Sequence, residues 1–117
     1  MIFGFGRADL EQISAAEAIS LSEGDSVLVD VREPDEWADG HAPNAVNLPM
    51  SQLAERMSEL PLERTLLIIC QSGQRSQSVT ARLDRAGYTA VNVIGGMDDW
   101  VSAGGVVARS DHGARDV

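Results

Sequence analysis

A chain of 117 residues, 44% of them apolar, suits one domain that can bury a core without staples. Its net charge of −9, with nine dispersed arginines and no lysine, argues against nucleic acid as a partner, because that binding needs clustered positive charge. A single cysteine rules out an internal disulfide and a cysteine-based zinc site, and no apolar run approaches the ~18 residues of a membrane helix.

The opening MIFGFGRADLEQ lacks the basic n-region and the apolar length of a signal peptide. With the lone thiol, this gives the expectation of a cytoplasmic protein. ISAAEAISLSEGD carries a capping-box pattern, Ser14 with Glu17, ahead of a helix that stops near Gly24. SVLVDV (26–31) is a β-branched run of buried-strand character. EPDEWADGHA has Pro34 near a helix start and Gly40 past its end, so one or two helical turns are expected. AVNLP (45–49) is a short strand ended by proline, and MSQLAERMSEL a helix with Ser51 as N-cap and Leu53, Met57 and Leu60 on one face. TLLIIC (65–70) is a strong buried strand. SQSVTARLDRAGY (76–88) is an amphipathic helix with Val79, Leu83 and Ala86 inward and Gly87 just past its end. AVNVI (90–94) is a strand, and GGMDDWVSAGG a short helix between glycines.

Strands alternate with helices, and the strands are apolar throughout rather than every second residue. That pattern predicts an α/β fold with a mostly parallel sheet covered on both faces. One domain is expected over residues 1–107, with 108–117 (ARSDHGARDV) a mobile tail poor in apolar groups.

The lone thiol stands where the strongest strand gives way to a helix, in LLIICQSGQRSQS. Ligands of parallel α/β sheets bind beyond the carboxyl ends of the strands. The chain must turn in a tight arc between Cys70 and Ser76, and Gly73 permits it. The backbone N–H groups of residues 71–76 can then converge on the sulfur, and a helix N-terminus adds its own positive end. Such surroundings favour the thiolate, the nucleophilic form. Arg75 could add charge-assisted donors or point outward. A cysteine at the end of an apolar strand can also be a small core residue, but a core residue needs no donor-rich arc after it. Asp30, Arg32, Glu36 and His41 read as a structural polar network, with Asp30 near the same sheet edge. Trp37 and Trp100 read as packing residues. No spacing of His41 or His112 suggests a metal site, so no metal is expected.

CQSGQRS resembles the active-site loop of single-domain rhodaneses, Cys-x-x-Gly-x-Arg-Ser. VLVDVREPDEWADGHAPNAVNLP resembles that family's upstream signature, and VIGGMDDW its closing Gly-Gly…Trp motif, so the resemblance spans Leu10 to Val107. It implies a rhodanese-like fold with a central five-stranded, mostly parallel sheet and helices on both faces. It also implies a sulfurtransferase. The enzyme would take a sulfane sulfur from a donor such as thiosulfate, hold it as a cysteine persulfide, and pass it to cyanide or a thiol. Carried over by position, Cys70 is the catalytic nucleophile, and Gln71, Ser72, Gly73, Gln74, Arg75 and Ser76 form the substrate cradle. No cofactor is implied. The implied partners are a small anionic sulfur donor and a thiol or sulfur-carrier protein as acceptor. Departures from the pattern are Ala42 and Asn44 upstream, and a neutral Gln71 where a basic residue is common. Two alternatives stand beside this reading. One is a persulfide relay or binding module with little turnover. The other is a cysteine phosphatase or arsenate reductase of the same fold, whose Cys…Arg loop is one residue longer.

Overall fold

The structure, a computed structural model, describes residues 10–109. The first nine residues, where the absence of a signal peptide was read, and the tail from residue 110 lie outside the described residues. The elements run β1 (Gln12–Ile13), α1 (Ala15–Ser22), β2 (Val27–Asp30), α2 (Pro34–Asp39), β3 (Val46–Asn47), α3 (Leu53–Arg56), β4 (Thr65–Ile69), α4 (Gln74–Arg85), β5 (Thr89–Val93) and α5 (Gly96–Ser102). The strands form one five-stranded sheet in the order β1-β5-β4-β2-β3, with every ladder parallel. This is the α/β architecture expected from the sequence.

The uniformly apolar strands serve two cores at once, because successive side chains of a strand point to opposite faces. Leu66 and Ile68 of β4 join Val29, Leu53, Val79 and Leu83 under α3 and α4. Leu67 and Ile69 face the other way and join Ala15, Ala18, Met97 and Trp100 under α1 and α5. These four β4 side chains are fully buried, and each contributes about 1.5–3 kcal/mol of transfer free energy. The same alternation sends Cys70, one residue past β4, into the α3/α4 core in phase with Leu66 and Ile68.

The helix ends follow local chemistry. Ser14 accepts from the Glu17 N–H and Glu17 accepts from the Ser14 N–H, the reciprocal box expected of that pair. Gly87 takes a left-handed φ of 99° just past α4. Three expectations are corrected. Ser51 caps no helix. The segment after Pro49 opens as a 3-10 turn, Met50–Gln52, and the Ser51 hydroxyl donates to Glu33 instead. Ala86 is exposed, since α4 has ended before it, while Val79 and Leu83 do face inward. Helix α4 also begins two residues earlier than its apolar periodicity suggests, at Gln74.

Ala108, assigned to the tail by composition, pairs with His41 through two backbone hydrogen bonds of 2.8 and 2.7 Å. The Trp100 indole N–H donates to the Val106 carbonyl at 3.0 Å and holds the intervening segment against α5.

Candidate active site

Strand β4 delivers Cys70 to the carboxyl edge of the sheet, and Gly73 turns the chain into α4. Gly73 sits at φ 101°, a left-handed conformation that other residues adopt at a cost. The turn aims donors at one atom. The Gly73 N–H lies 3.1 Å from Cys70 Sγ and the Ser76 N–H 3.3 Å from it. The Ser76 hydroxyl is 3.2 Å from the same sulfur. Both Cys70 and Ser76 are buried, the cysteine 1% exposed. Of the residues expected to form the arc, Gly73 and Ser76 bring donors to the sulfur. Gln71, Ser72, Gln74 and Arg75 complete the turn without a hydrogen bond to it.

The arc is held from behind by α5. The Met97 N–H donates to the Cys70 carbonyl at 2.8 Å, and the Asp98 N–H to the Gln71 carbonyl at 3.0 Å. With those carbonyls drawn to the N-terminus of α5, the Gly73 and Ser76 amides face the sulfur. The approach is close enough to demand glycine. A Cβ on Gly96 would overlap the Cys70 carbonyl oxygen, and one on Gly73 would fall 2.9 Å from the Gly95 nitrogen. The Gly-Gly pair noted in VIGGMDDW therefore has a steric role that no local pattern reveals.

Four of the neighbouring charged groups are engaged in pairs, Asp30 with Arg32 and Glu36 with Arg75. Asp30, fully buried at the end of β2, accepts from the Arg32 backbone N–H and from its Nε and Nη2. Arg32 then spends its remaining donors on the carbonyls of Glu36 and Gly40 and on Gln71 Oε1, at 3.3, 2.6 and 3.0 Å. All five of its guanidinium N–H groups are used. Gln71 passes the network on, donating from Nε2 to Asp98 Oδ1 at 2.7 Å. Arg75 turns to Glu36 and makes no hydrogen bond to the sulfur. Its two terminal nitrogens meet the two oxygens of Glu36 at 2.8 Å each, a bidentate pair. These hydrogen bonds are the main reason the Glu36 carboxyl is held at about 2, below its usual 4.5; partial burial opposes them, while the Glu33 N–H and the charges of Arg75 and Arg32 assist. The same pair raises Arg75 further above its ordinary value.

The polar network expected of Asp30, Arg32, Glu36 and His41 thus forms over the first three and extends to Gln71, Arg75 and Asp98. His41 stands apart from it. Its ring stacks on Trp37 with centroids 3.7 Å apart, and its Nδ1 lies 2.7 Å from the Trp37 carbonyl. Trp100 is buried packing, as expected. The links from Gln71 to Arg32 and Asp98 were not foreseen, because their sequence separations of 39 and 27 residues leave no local signal.

A cavity of about 450 Å³ opens beside the loop, walled by Arg32, Glu36, Asp39, Gln71, Met97, Asp98, Val101 and Val107 among others. Among the described residues, no group of three or more His, Cys, Asp or Glu side chains could hold a metal ion, and no helix is long and apolar enough to cross a membrane.

Known proteins resemble this chain in sequence and in fold. The family model for the rhodanese-like domain matches residues 14–103. A sulfurtransferase of Allochromatium vinosum is 39% identical over 97 residues, covering 82% of this chain and 90% of that protein. The thiosulfate sulfurtransferase GlpE of Pseudomonas syringae is 34% identical over 93 residues, covering 79% and 88%. The crystal structure of a rhodanese-related protein from Thermoplasma volcanium superposes with a TM-score of 0.79 at 32% identity, covering 84% of this chain and 97% of that one.

Proposed function

Since the chain belongs to the rhodanese-like family of sulfurtransferases, we propose that it moves a sulfane sulfur through a persulfide on Cys70. The observation that carries this reading is the convergence of two backbone N–H groups and one hydroxyl on the sulfur of the chain's only cysteine. Preorganised donors of this kind stabilise an anion at the atom they face without reorganising during the reaction.

In the first half-reaction the Cys70 thiolate attacks the outer sulfur of thiosulfate. A Cys70–sulfur bond forms, the sulfur–sulfur bond of the donor breaks, and its electron pair leaves with sulfite. In the second half, cyanide or a thiolate attacks the outer sulfur of the persulfide, and the pair from the broken bond returns to Cys70 Sγ. The covalent intermediate splits one transfer into two easier steps. Cys70 is nearly buried, so an acceptor meets the outer sulfur, which the new bond carries outward by about 2 Å. The N–H groups of Ser72, Gln74 and Arg75 make no hydrogen bond to Sγ and would be the donors of the arc left to meet that outer atom. Gln71 is tied to Arg32, and Arg75 stabilises the loop through Glu36.

Intact mass after incubation with thiosulfate tests the first half, and thiocyanate formation from cyanide tests the second. The wild type is expected to gain one sulfur atom and to turn over, and Cys70→Ser to do neither while melting as a folded domain. Comparable turnover by Cys70→Ser would overturn the assignment. Stoichiometric persulfide without turnover would identify a relay in place of an enzyme acting on small donors.

A further inference from the structure

The charges around the cavity do not suit a dianion. Arg32 has every guanidinium N–H committed, and its charge is offset by the buried Asp30 carboxylate at 2.8 Å. Arg75 is bound by both terminal nitrogens to Glu36. What remains in the wall is Asp39 and Asp98, neither of which has an ion-pair partner among the described residues. The rest of the wall is partly aliphatic, with Met97, Val101 and Val107, and the two valines are 57% and 42% exposed. A molecule entering this space meets a hydrocarbon surface and a net negative field, within a protein that is itself strongly acidic.

We propose that this cavity selects, as acceptor of the Cys70 sulfur, a thiol with a short aliphatic body carried beside a positive charge, with Asp39 and Asp98 as the specificity-determining residues. The proposal rests on the sulfurtransferase reading above. Its chemistry balances without an oxidant. The acceptor thiolate attacks the outer sulfur of protonated persulfide, a new sulfur–sulfur bond forms on the acceptor, the Cys70 bond breaks, and Cys70 leaves as thiolate. The acceptor departs as a persulfide that keeps the transferred sulfur and its proton. A free aminothiol and a polypeptide cysteine flanked by basic residues share this chemistry.

The test begins with wild-type protein charged by saturating thiosulfate, desalted, and shown by intact mass to hold one extra sulfur. Discharge is then timed with cysteamine, 2-mercaptoethanol and 3-mercaptopropionate, which carry positive, neutral and negative ends on bodies of similar length. Each rate is expressed per thiolate and divided by that thiol's rate with a small neutral disulfide. A second arm compares a short peptide whose cysteine is flanked by arginines with the same peptide flanked by glutamates. The expected order is cation, neutral, anion, with each carboxylate contributing about 2- to 5-fold between successive charges. A larger ratio in the peptide arm would identify a polypeptide acceptor, and a larger ratio among the small thiols a free one. Asp39→Asn with Asp98→Asn should flatten both series; asparagine at 98 can still accept from Gln71. Equal normalised rates, a faster anion, or an order that survives the double substitution would overturn the proposal while leaving the persulfide chemistry standing. Failure to form the persulfide at all would overturn the sulfurtransferase reading, and this inference with it.

Discussion

Gly96→Ala should both destabilise the domain and disable the sulfur site, because one backbone contact serves both. Gly96 has a φ of 56°, where a residue with a Cβ costs about 1–2 kcal/mol. The added methyl would also overlap the Cys70 carbonyl oxygen and fall 2.7 Å from the Gln71 carbonyl. Neither neighbour is the end of a flexible side chain, so α5 and the loop must separate. That separation breaks the hydrogen bonds from Met97 and Asp98 to the same two carbonyls, at about 1 kcal/mol each. The total is about 3–4 kcal/mol, which for a domain near this size lowers Tm by at least ~10 °C. Gly87→Ala is the control, for Gly87 has a φ of 99° with open space where its Cβ would go. It should lose only the conformational term and form persulfide at the wild-type rate. Urea unfolding of both variants, with persulfide formation followed by mass, makes the comparison. If Gly96→Ala loses no more stability than Gly87→Ala and accepts sulfur as fast as wild type, α5 does not hold the loop, and the account of how the donors are aimed fails.

Ser76→Ala keeps the Ser76 amide and removes the hydroxyl 3.2 Å from Cys70 Sγ; persulfide formation should slow by about tenfold, read by single-turnover mass measurements, and an unchanged rate would mean the hydroxyl is only a core contact. Gln71→Arg places a cation opposite Asp98, so the KM for thiosulfate should fall by about 3- to 10-fold at low salt and less at high salt; no change at either ionic strength would show that the wall charges do not act on the donor. The Glu36–Arg75 pair should be a pH-dependent support. Glu36 is depressed when folded, so its contribution is fully present above its usual value of 4.5 and is lost as pH falls through about 2. Both side chains are about one-third exposed, so the pair contributes about 1 kcal/mol after screening. The stability difference between wild type and Glu36→Gln should be constant above about pH 5 and shrink below it, and a difference that grows toward low pH would contradict this.

The legible parts of the sequence were those set by neighbours along the chain. Ser14 and Glu17 cap the helix they precede because the two groups are three residues apart. The β4 run reads as buried because alternate residues supply two cores. The loop that bears Cys70 was visible for the same reason, since the strand, the glycine and the helix N-terminus are contiguous. Strand β1 was missed by the pattern, because Gln12–Ile13 is too short to show a period and exists only through its pairing with β5. Ser51 misled because a good capping residue after proline found a better acceptor in Glu33, 18 residues back. The supports of the site were invisible for a similar cause. Chain segments that end at the same sheet edge bring Gln71 to Arg32 and Asp98, and Arg75 to Glu36. The family motifs marked those positions without saying what they touch.

The pairing of Arg75 with Glu36 bears on the class of reaction. A phosphatase-type loop must hold a tetrahedral oxyanion whose several oxygens carry two charges, and it does so with a guanidinium turned into the ring. Here that guanidinium is bound by two hydrogen bonds of 2.8 Å to Glu36, and the nearby Arg32 has no donor free. Turning Arg75 inward would leave Glu36 as a half-buried carboxylate that has lost its largest stabilising partner. The groups that do face Cys70, two amide donors and a hydroxyl, suit one sulfur with a single charge. Four residues between Cys70 and Arg75 make the ring narrow as well. Loop length and charge placement therefore point the same way, toward a site that receives one atom rather than an oxyanion.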